Sequence, residues 1–434
     1  MRLPSYRLRH LALAVATANA LRPPRQPHAG VAAFFAGWLT GELAPQLLAA
    51  SVADTAVQAA RKGRRTDAVG LGLAAASSVG LARLISEALK VRTVLEDALR
   101  EGLGDDYEST RTTDNPIPWQ AMARPLRAFS DRDPDVRVIR NVAYADHGRR
   151  GTLDLYLPTR TATQPAPVLV QVHGGAWILG RKDQQAVPLM RHLAARGWIC
   201  VAINYRLAPR NPFPAQIIDV KRALAWVRAH IAEYGGDSRY LALTGGSAGG
   251  HLAALAALTP GDPAYQPGFE QADTSVECAI PFYGVYDFAG ASGLRSAELM
   301  RDRFLAPRVL HSTWSEEPAR FEAASPLLRI TPDAPDFFVI HGASDTMVEV
   351  AQGRLFAERL REVSHNTVVY AELPGAQHAF DVFGSIRSEY VIRAVERFLT
   401  WHHARWLAAA DAVSDAGSVV EVPPVGADVR GAAS

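Results

Sequence analysis

Hydrophobic positions follow two regimes along the chain. From Val136 onward, short apolar runs alternate with amphipathic stretches. Val136 to Tyr144 and Thr152 to Leu157 read as two antiparallel strands joined at Asp146-His147-Gly148. Val168 to His173 is apolar almost throughout, as expected of a central strand buried on both faces. Strands follow over Trp198 to Asn204, Tyr240 to Leu243, Cys278 to Tyr283, Phe337 to His341 and Thr367 to Leu373. Between and after them, helices are expected over Gln185 to Arg196, Ala215 to Glu233, the stretch following Ser247, Val350 to Val363 and Ser385 to Ala404. This alternation over residues 136–404 predicts an α/β domain, a parallel sheet with helices on both faces. Residues 285–330 interrupt the rhythm with short helical patterns and read as a cap.

Ahead of Val136 the pattern changes. Arg2, Arg7 and Arg9 precede an apolar run from Leu11 that ends in Ala18-Asn19-Ala20, the layout of a secretory signal, although Thr17 and Asn19 break it. Two longer apolar segments follow, Val31 to Ala60 and Ala68 to Leu89, joined by Arg61-Lys62-Gly63-Arg64-Arg65. Glu42, Pro45 and Asp54 suit the first to a buried or interfacial helix, and the uninterrupted part of the second is shorter than the ~20 residues of a spanning helix. Residues 1–100 are therefore expected to be helical, with membrane contact through residues 31–89 and a membrane or cell-envelope location, the alternative being a soluble hairpin in the cytoplasm. Residues 101–135, polar and Pro-rich, read as a linker or lid, and residues 405–434 as a disordered tail.

Composition narrows the function. The chain has 434 residues, 48% of them hydrophobic and 21% charged, enough for a large catalytic domain with additions. A net charge of +2 gives no argument for a nucleic-acid partner. Cys200 and Cys278 both lie in apolar runs, so buried free thiols are expected rather than a disulfide or a metal site.

The candidate chemistry centres on Tyr240 to Leu255, where Gly245-Gly246-Ser247-Ala248-Gly249 joins a strand to a helix. A serine on so sharp a turn needs neighbours without side chains, and its hydroxyl stands at a helix N-terminus that favours developing negative charge. Such a serine requires a base and an acid, which in this kind of sheet follow it in the order acid, then histidine, at later strand ends. Asp345 lies just beyond the strand ending at His341, and His378 on the loop before the last helix. Asp219 and Asp287 are further acids, but neither sits between a late strand and His378. His173-Gly174-Gly175-Ala176-Trp177 closes a central strand where an oxyanion loop belongs, so the amides of Gly174, Gly175 and Ala248 are the expected oxyanion hole. His251, one turn beyond Ser247, is expected to pack, and His173 and His341 to close strand ends.

These motifs, with Asn204-Tyr205-Arg206-Leu207-Ala208-Pro209, Phe213-Pro214-Ala215 and Asp219, resemble the hormone-sensitive-lipase-like branch of the α/β-hydrolases, the bacterial carboxylesterases. The resemblance implies an eight-stranded, mostly parallel sheet and hydrolysis of short- to medium-chain or lipid-like esters through an acyl-enzyme, with no metal or organic cofactor. Ala176 replaces the third glycine of the family loop, and Gly246 replaces the Asp that usually precedes the nucleophile. The Gly-Gly-Ala-Trp loop is also similar to that of arylformamidases and prenylcysteine methylesterases, which leaves amide hydrolysis as an alternative. A hydrolase-fold binding module without catalysis is a second one. The N-terminal hundred residues resemble the extensions of membrane-associated actinobacterial-type esterases.

Overall fold

The computed structural model describes residues 4–24, 30–62, 67–104, 107, 118–129, 134–160 and 164–417. At its centre is an eight-stranded sheet made of β1 (Val136–Ala143), β2 (Thr152–Pro158), β3 (Ala166–Val172), β4 (Ile199–Ile203), β5 (Gly236–Gly246), β6 (Cys278–Phe282), β7 (Asp336–Gly342) and β8 (Val368–Leu373). The strand order is β1-β2-β4-β3-β5-β6-β7-β8. β2 pairs antiparallel with β1 and β4, and every other neighbouring pair is parallel. This is the eight-stranded, mostly parallel sheet that the sequence pattern and its resemblance imply.

The two-residue period of β3 explains why the sheet is covered twice. Val168, Val170 and Val172 point to one face and Leu169 to the other, and all four are fully buried. On the first face pack α7 (Ala215–His230), α8 (Ala248–Leu258) and α11 (Val350–Val363). The second is covered by α6 (Val187–Ala194) and α12 (Ile386–Gly417), joined by the C-terminal half of α4 (Ala68–Leu103). The cap segment holds α9 (Arg295–Met300), a π-helical stretch (Arg301–Leu310) and α10 (Pro318–Ala323).

The expected tail begins too early. α12 stays helical to Gly417, because Trp401 and His402 remain buried and Trp406 still packs on the core beyond Ala404. Residues 418–434 lie outside the described part. α4 also continues beyond the expected end of its apolar segment at Leu89, into the first three residues of the expected linker. Val91, Leu95, Ala98 and Leu99 carry an i, i+4, i+7, i+8 stripe past Leu89, and Gly104 ends α4 at φ 82°. Within residues 101–135 the described part contains α5 (Trp119–Ala123) and a short turn of helix at Arg127–Phe129, while 105–106, 108–117 and 130–133 lie outside it.

The N-terminal region contains three further helices, α1 (Tyr6–Leu21), α2 (Gly30–Glu42) and α3 (Ala44–Lys62). The run that has the layout of a leader lies in α1, packed on α4. The apolar segment from Val31 breaks at Leu43, with Pro45 in the first turn of α3, where its missing N–H is tolerated. α1 runs parallel to α4 at very close range: a Cβ added at Gly70 would lie 2.6 Å from the Tyr6 ring, and one at Gly80 2.5 Å from Thr17. α3 returns alongside them, so that Arg9 pairs with Asp54 at 2.7 Å, while Arg7 pairs with Asp67, the N-cap of α4, at 2.9 Å at the far end. The resulting three-helix bundle is about 24 Å long at 1.5 Å per residue. Its polarity is inverted in part: near the base Ala20, Ala44, Leu81 and Leu84 form a small apolar core with Leu13, Leu47 and Leu48 against it, but elsewhere polar groups lie inside. His10, Thr17, Ser51 and Ser77 are buried between the helices, while Leu8, Leu11, Val15, Val52, Val57, Val69 and Val79 face outward. α2 lies at the base of the bundle, where the Glu42 carboxylate accepts from Arg387 at 2.9 Å and from Ser385 at 2.7 Å, all within the interior.

Candidate active site

Ser247 connects β5 to α8 with φ 58° and ψ −120°, a backbone conformation that costs a residue with a side chain about 1–3 kcal/mol. Close packing enforces the turn. A Cβ at Gly249 would stand 2.1 Å from the Val172 carbonyl, so the helix start sits against β3 only without one. The Ser247 amide donates to the Phe282 carbonyl at 3.0 Å, fixing the turn to β6.

Asp345 and His378 come from the loops after β7 and β8, as their positions beyond strand ends imply. The His378 Nδ1–H donates to Asp345 Oδ2 at 2.6 Å, which leaves Nε2 as the free base nitrogen. The amides of Met347 and Val348 hold Asp345 Oδ1 at 2.8 and 2.9 Å. Burial alone would raise the Asp345 carboxyl, but His378 and His341 outweigh it and keep it well below the usual carboxylate range. It therefore stays ionised beside the imidazole. Gln377 Oε1 accepts from the amides of Thr346 and His378, at 2.7 and 2.9 Å, and ties the two loops together. Ser247, Asp345 and His378 all line one cavity of about 1260 Å³.

The oxyanion loop departs from expectation at one residue. The Gly174 amide donates to Gln185 Oε1 at 2.6 Å, so it is already committed and does not face the cavity as a free donor. Gly175, Ala176 and Trp177 follow with φ of 122°, 53° and 61°, which turns the backbone over one residue later. No described residue accepts from the amides of Gly175, Ala176 or Ala248, and Ala176 lines the cavity with Ser247. Gln185 was not readable as a partner, since nothing in the sequence ties the start of a helix to a glycine eleven positions earlier.

The remaining histidines and acids are accounted for. His251 accepts from Trp177 Nε1 at 3.1 Å and donates to the Ala324 carbonyl at 2.8 Å, and burial pushes it down to about 3. It stays neutral and joins the oxyanion loop to the cap segment. His173, pushed down to about 4 by burial, stacks on Tyr205 with ring centres 4.2 Å apart. His341 reaches the Val348 carbonyl at 3.1 Å and Asp345 at 3.4 Å, at the end of β7. Asp219 pairs with Arg206 at 2.7 Å, and Asp287 caps the amides of Gly290, Ala291 and Ser292. Cys200 and Cys278 are free and buried. Among the described residues no cluster of His, Cys, Asp or Glu could hold a metal ion.

Two side chains that pack against His378 carried no sequence signal. Tyr283, at φ 38°, lies against His378 with ring centres 4.6 Å apart and donates its hydroxyl to Asp381. A Cβ at Gly246 would be 2.7 Å from the Tyr283 hydroxyl oxygen, so Tyr283 fills the space next to the position where the family commonly has an Asp. Phe34, on α2, stands edge-on to His378 at 6.0 Å and stacks on Trp38. The N-terminal helices thus reach His378.

Comparison with known proteins gives esterases of the same fold. Residues 153–360 match the BD-FAE family model. The probable carboxylic ester hydrolase LipM of Mycobacterium tuberculosis is 44% identical over 423 residues, 94% of this chain and 95% of that protein. Esterase LipQ of the same organism is 49% identical over 270 residues, 62% of this chain and 63% of its own. Among solved structures, a thermophilic esterase from the Planctomycetes species Thermogutta terrifontis with butyrate bound is similar at 27% identity and a TM-score of 0.51, covering 62% of this chain and 94% of that one.

Proposed function

Because the chain belongs to the hormone-sensitive-lipase-like α/β-hydrolase esterases and is a carboxylic ester hydrolase, we propose that Ser247, His378 and Asp345 form its catalytic triad. The reading is carried by the 2.6 Å contact between His378 and Asp345 in a cavity shared with Ser247 on its strained turn. Ser247 Oγ attacks the ester carbonyl carbon as its proton passes to His378 Nε2. The tetrahedral oxyanion is met by the amides of Gly175, Ala176 and Ala248, Ala176 replacing the committed Gly174. Each such donor is worth about 10²–10³ in kcat. His378 then protonates the departing alkoxide oxygen, the acyl group stays on Ser247, and a water deprotonated by His378 releases the acid and restores the serine.

The substrate is a small-molecule ester with an apolar acyl part. Leu299, Met300, Phe304 and Val285 line the cavity on the cap side, and its volume suits a short- to medium-chain or lipid-like acyl group. The inverted bundle supports membrane contact. Outward large apolar side chains, inward small and polar ones, and glycines at the helix contacts are what lipid rather than water selects. α4 is also long and apolar enough to cross a membrane.

The test of the triad is Ser247→Ala. Turnover of p-nitrophenyl butyrate and labelling by a fluorophosphonate probe should both vanish while circular dichroism is unchanged, and a variant that still turns the ester over would end this reading.

A further inference from the structure

The cavity that holds Ser247 and His378 has one wall that does not belong to the sheet domain. Leu21 to Pro24, at the end of α1, and Val31, at the start of α2, line it, with Arg22 the one charged side chain among them. Leu21 and Val31 are also surface residues, 38% and 57% exposed, so the same two side chains border the reaction chamber and the outside. α2 repeats this arrangement one step on: Phe34 stands edge-on to His378 at 6.0 Å, whereas its neighbour Phe35 faces outward and is 54% exposed. A single residue along the helix separates the outer surface from the base.

That outer surface is continuous with the apolar flank of the bundle. α1 carries Leu8, Leu11 and Val15 outward and ends at Leu21, so its exposed stripe leads to the cavity mouth. At the base of the bundle, α5 and the turn after it expose Trp119 and Leu126 beside Arg124 and Arg127. Aromatic and basic side chains together mark the boundary between apolar and polar phases, which fits a lipid surface better than a second copy of the chain. The mouth lies at the same end of the bundle. α2 does not lift away to create it, because the buried Glu42–Arg387 pair fastens its end to α12.

We propose that the active site is loaded sideways from the lipid phase: a membrane-resident ester slides over the α1–α2 edge, past Leu21 and Val31, and presents its carbonyl to Ser247 without its chain crossing water. This rests on the triad reading above and on the bundle facing lipid. The substrate class is then an amphiphile whose ester lies at the boundary of the bilayer and whose apolar chain stays largely in it during the reaction. Chains in lipid resist transfer to water, methylene by methylene, so a lateral mouth favours lipid-borne over dissolved esters as the chain lengthens.

The experiment uses the full chain with vesicles of phosphatidylglycerol and phosphatidylcholine that carry a fluorogenic palmitoyl ester, with dissolved p-nitrophenyl butyrate run in parallel. Leu21→Glu and Val31→Glu, and the milder Leu21→Gln, place polar groups on the edge. The ratio of kcat/KM for the vesicle ester to that for the dissolved ester should fall at least tenfold while co-flotation with vesicles persists. An unchanged ratio overturns the proposal, as does a parent protein that fails to float with vesicles or buries its outward face in a dimer. Fluorophosphonate labelling of Ser247 in water reports on the triad separately, so its loss would indict the chemistry rather than the route.

Discussion

The sheet domain and the N-terminal bundle solve the same packing problem in opposite ways. Around β3 the apolar side chains turn inward, and among the polar groups inside, Asp345, His378 and His341 are bound to one another or to backbone. In the bundle a small apolar core at Leu81 and Leu84 remains, but many large apolar side chains turn outward, and His10, Thr17, Ser51 and Ser77 lie between helices that approach closely over Gly70 and Gly80. Hydrophobic content is high in both, so content alone does not tell the two apart. The direction in which a large side chain points separates the two regions, and the proposed active site sits on the seam between them.

The largest effect should come from breaking the polar interior of the sheet domain. Asp345→Asn keeps the shape and the acceptor for the Met347 and Val348 amides, but its NH₂ cannot serve the His378 Nδ1–H. The imidazole then takes the wrong tautomer, and kcat on p-nitrophenyl butyrate should drop about ten-thousand-fold with little change in KM. A loss under tenfold would mean that Asp345 is structural.

The seam comes next. Glu42→Ala leaves the Arg387 guanidinium buried without its carboxylate, which should cost about 3–5 kcal/mol of stability in urea unfolding. Because Phe34 belongs to the same helix as Glu42, activity should fall at temperatures well below the unfolding midpoint. If the two regions are independent, activity will instead follow global unfolding.

A pair of identical substitutions sharpens the contrast itself. Val170→Lys, in the centre of β3, should prevent folding, since an isolated buried ammonium has no partner there. Val79→Lys, at a position 73% exposed, should change stability in solution by no more than about 0.5 kcal/mol. In return it should weaken vesicle binding about tenfold, measured by flotation, as expected for a cation placed on a lipid-facing surface. Unaltered binding would remove the bundle's outer face from membrane contact.

How much of this was legible in the sequence follows from the range of the interactions. Alternating strands and helices are local patterns, and so is the Gly-Gly-Ser-Ala-Gly turn, so the sheet, its helices and the order Ser247, Asp345, His378 could be read directly. The stripe through Val91, Leu95 and Leu99 is also local, but the charged residues between them hid it, so that the apolar segment was expected to end at Leu89. Gln185 on the Gly174 amide, Tyr283 on Asp381 and Phe34 beside His378 join residues 11, 98 and 344 positions apart, respectively. Such contacts exist only once the sheet has set strand ends side by side. The inverted bundle was half legible: the small residues and the apolar runs were visible, but the facing of each was not.

The smallest effect concerns Asp381, which faces Tyr283, His378 and, from α2, Glu42. Burial raises its carboxyl above the ordinary value, while the Tyr283 hydrogen bond and His378 pull the other way without prevailing. A folded-state value above the unfolded one means that the unfolded chain releases this proton more readily, so ionisation costs stability once the pH rises through the folded value. The cost is absent below about pH 4, where the group is protonated in both states. Asp381→Asn keeps an acceptor for the Tyr283 hydroxyl and cannot ionise. Its Tm should therefore exceed the parent's by a few degrees at pH 8, with the gap closing toward pH 4. A gap that is constant with pH would place the gain in packing, and a lower Tm at pH 8 would show that the charge on Asp381 holds Tyr283 and His378 in place, giving the seam a second carboxylate that stabilises it.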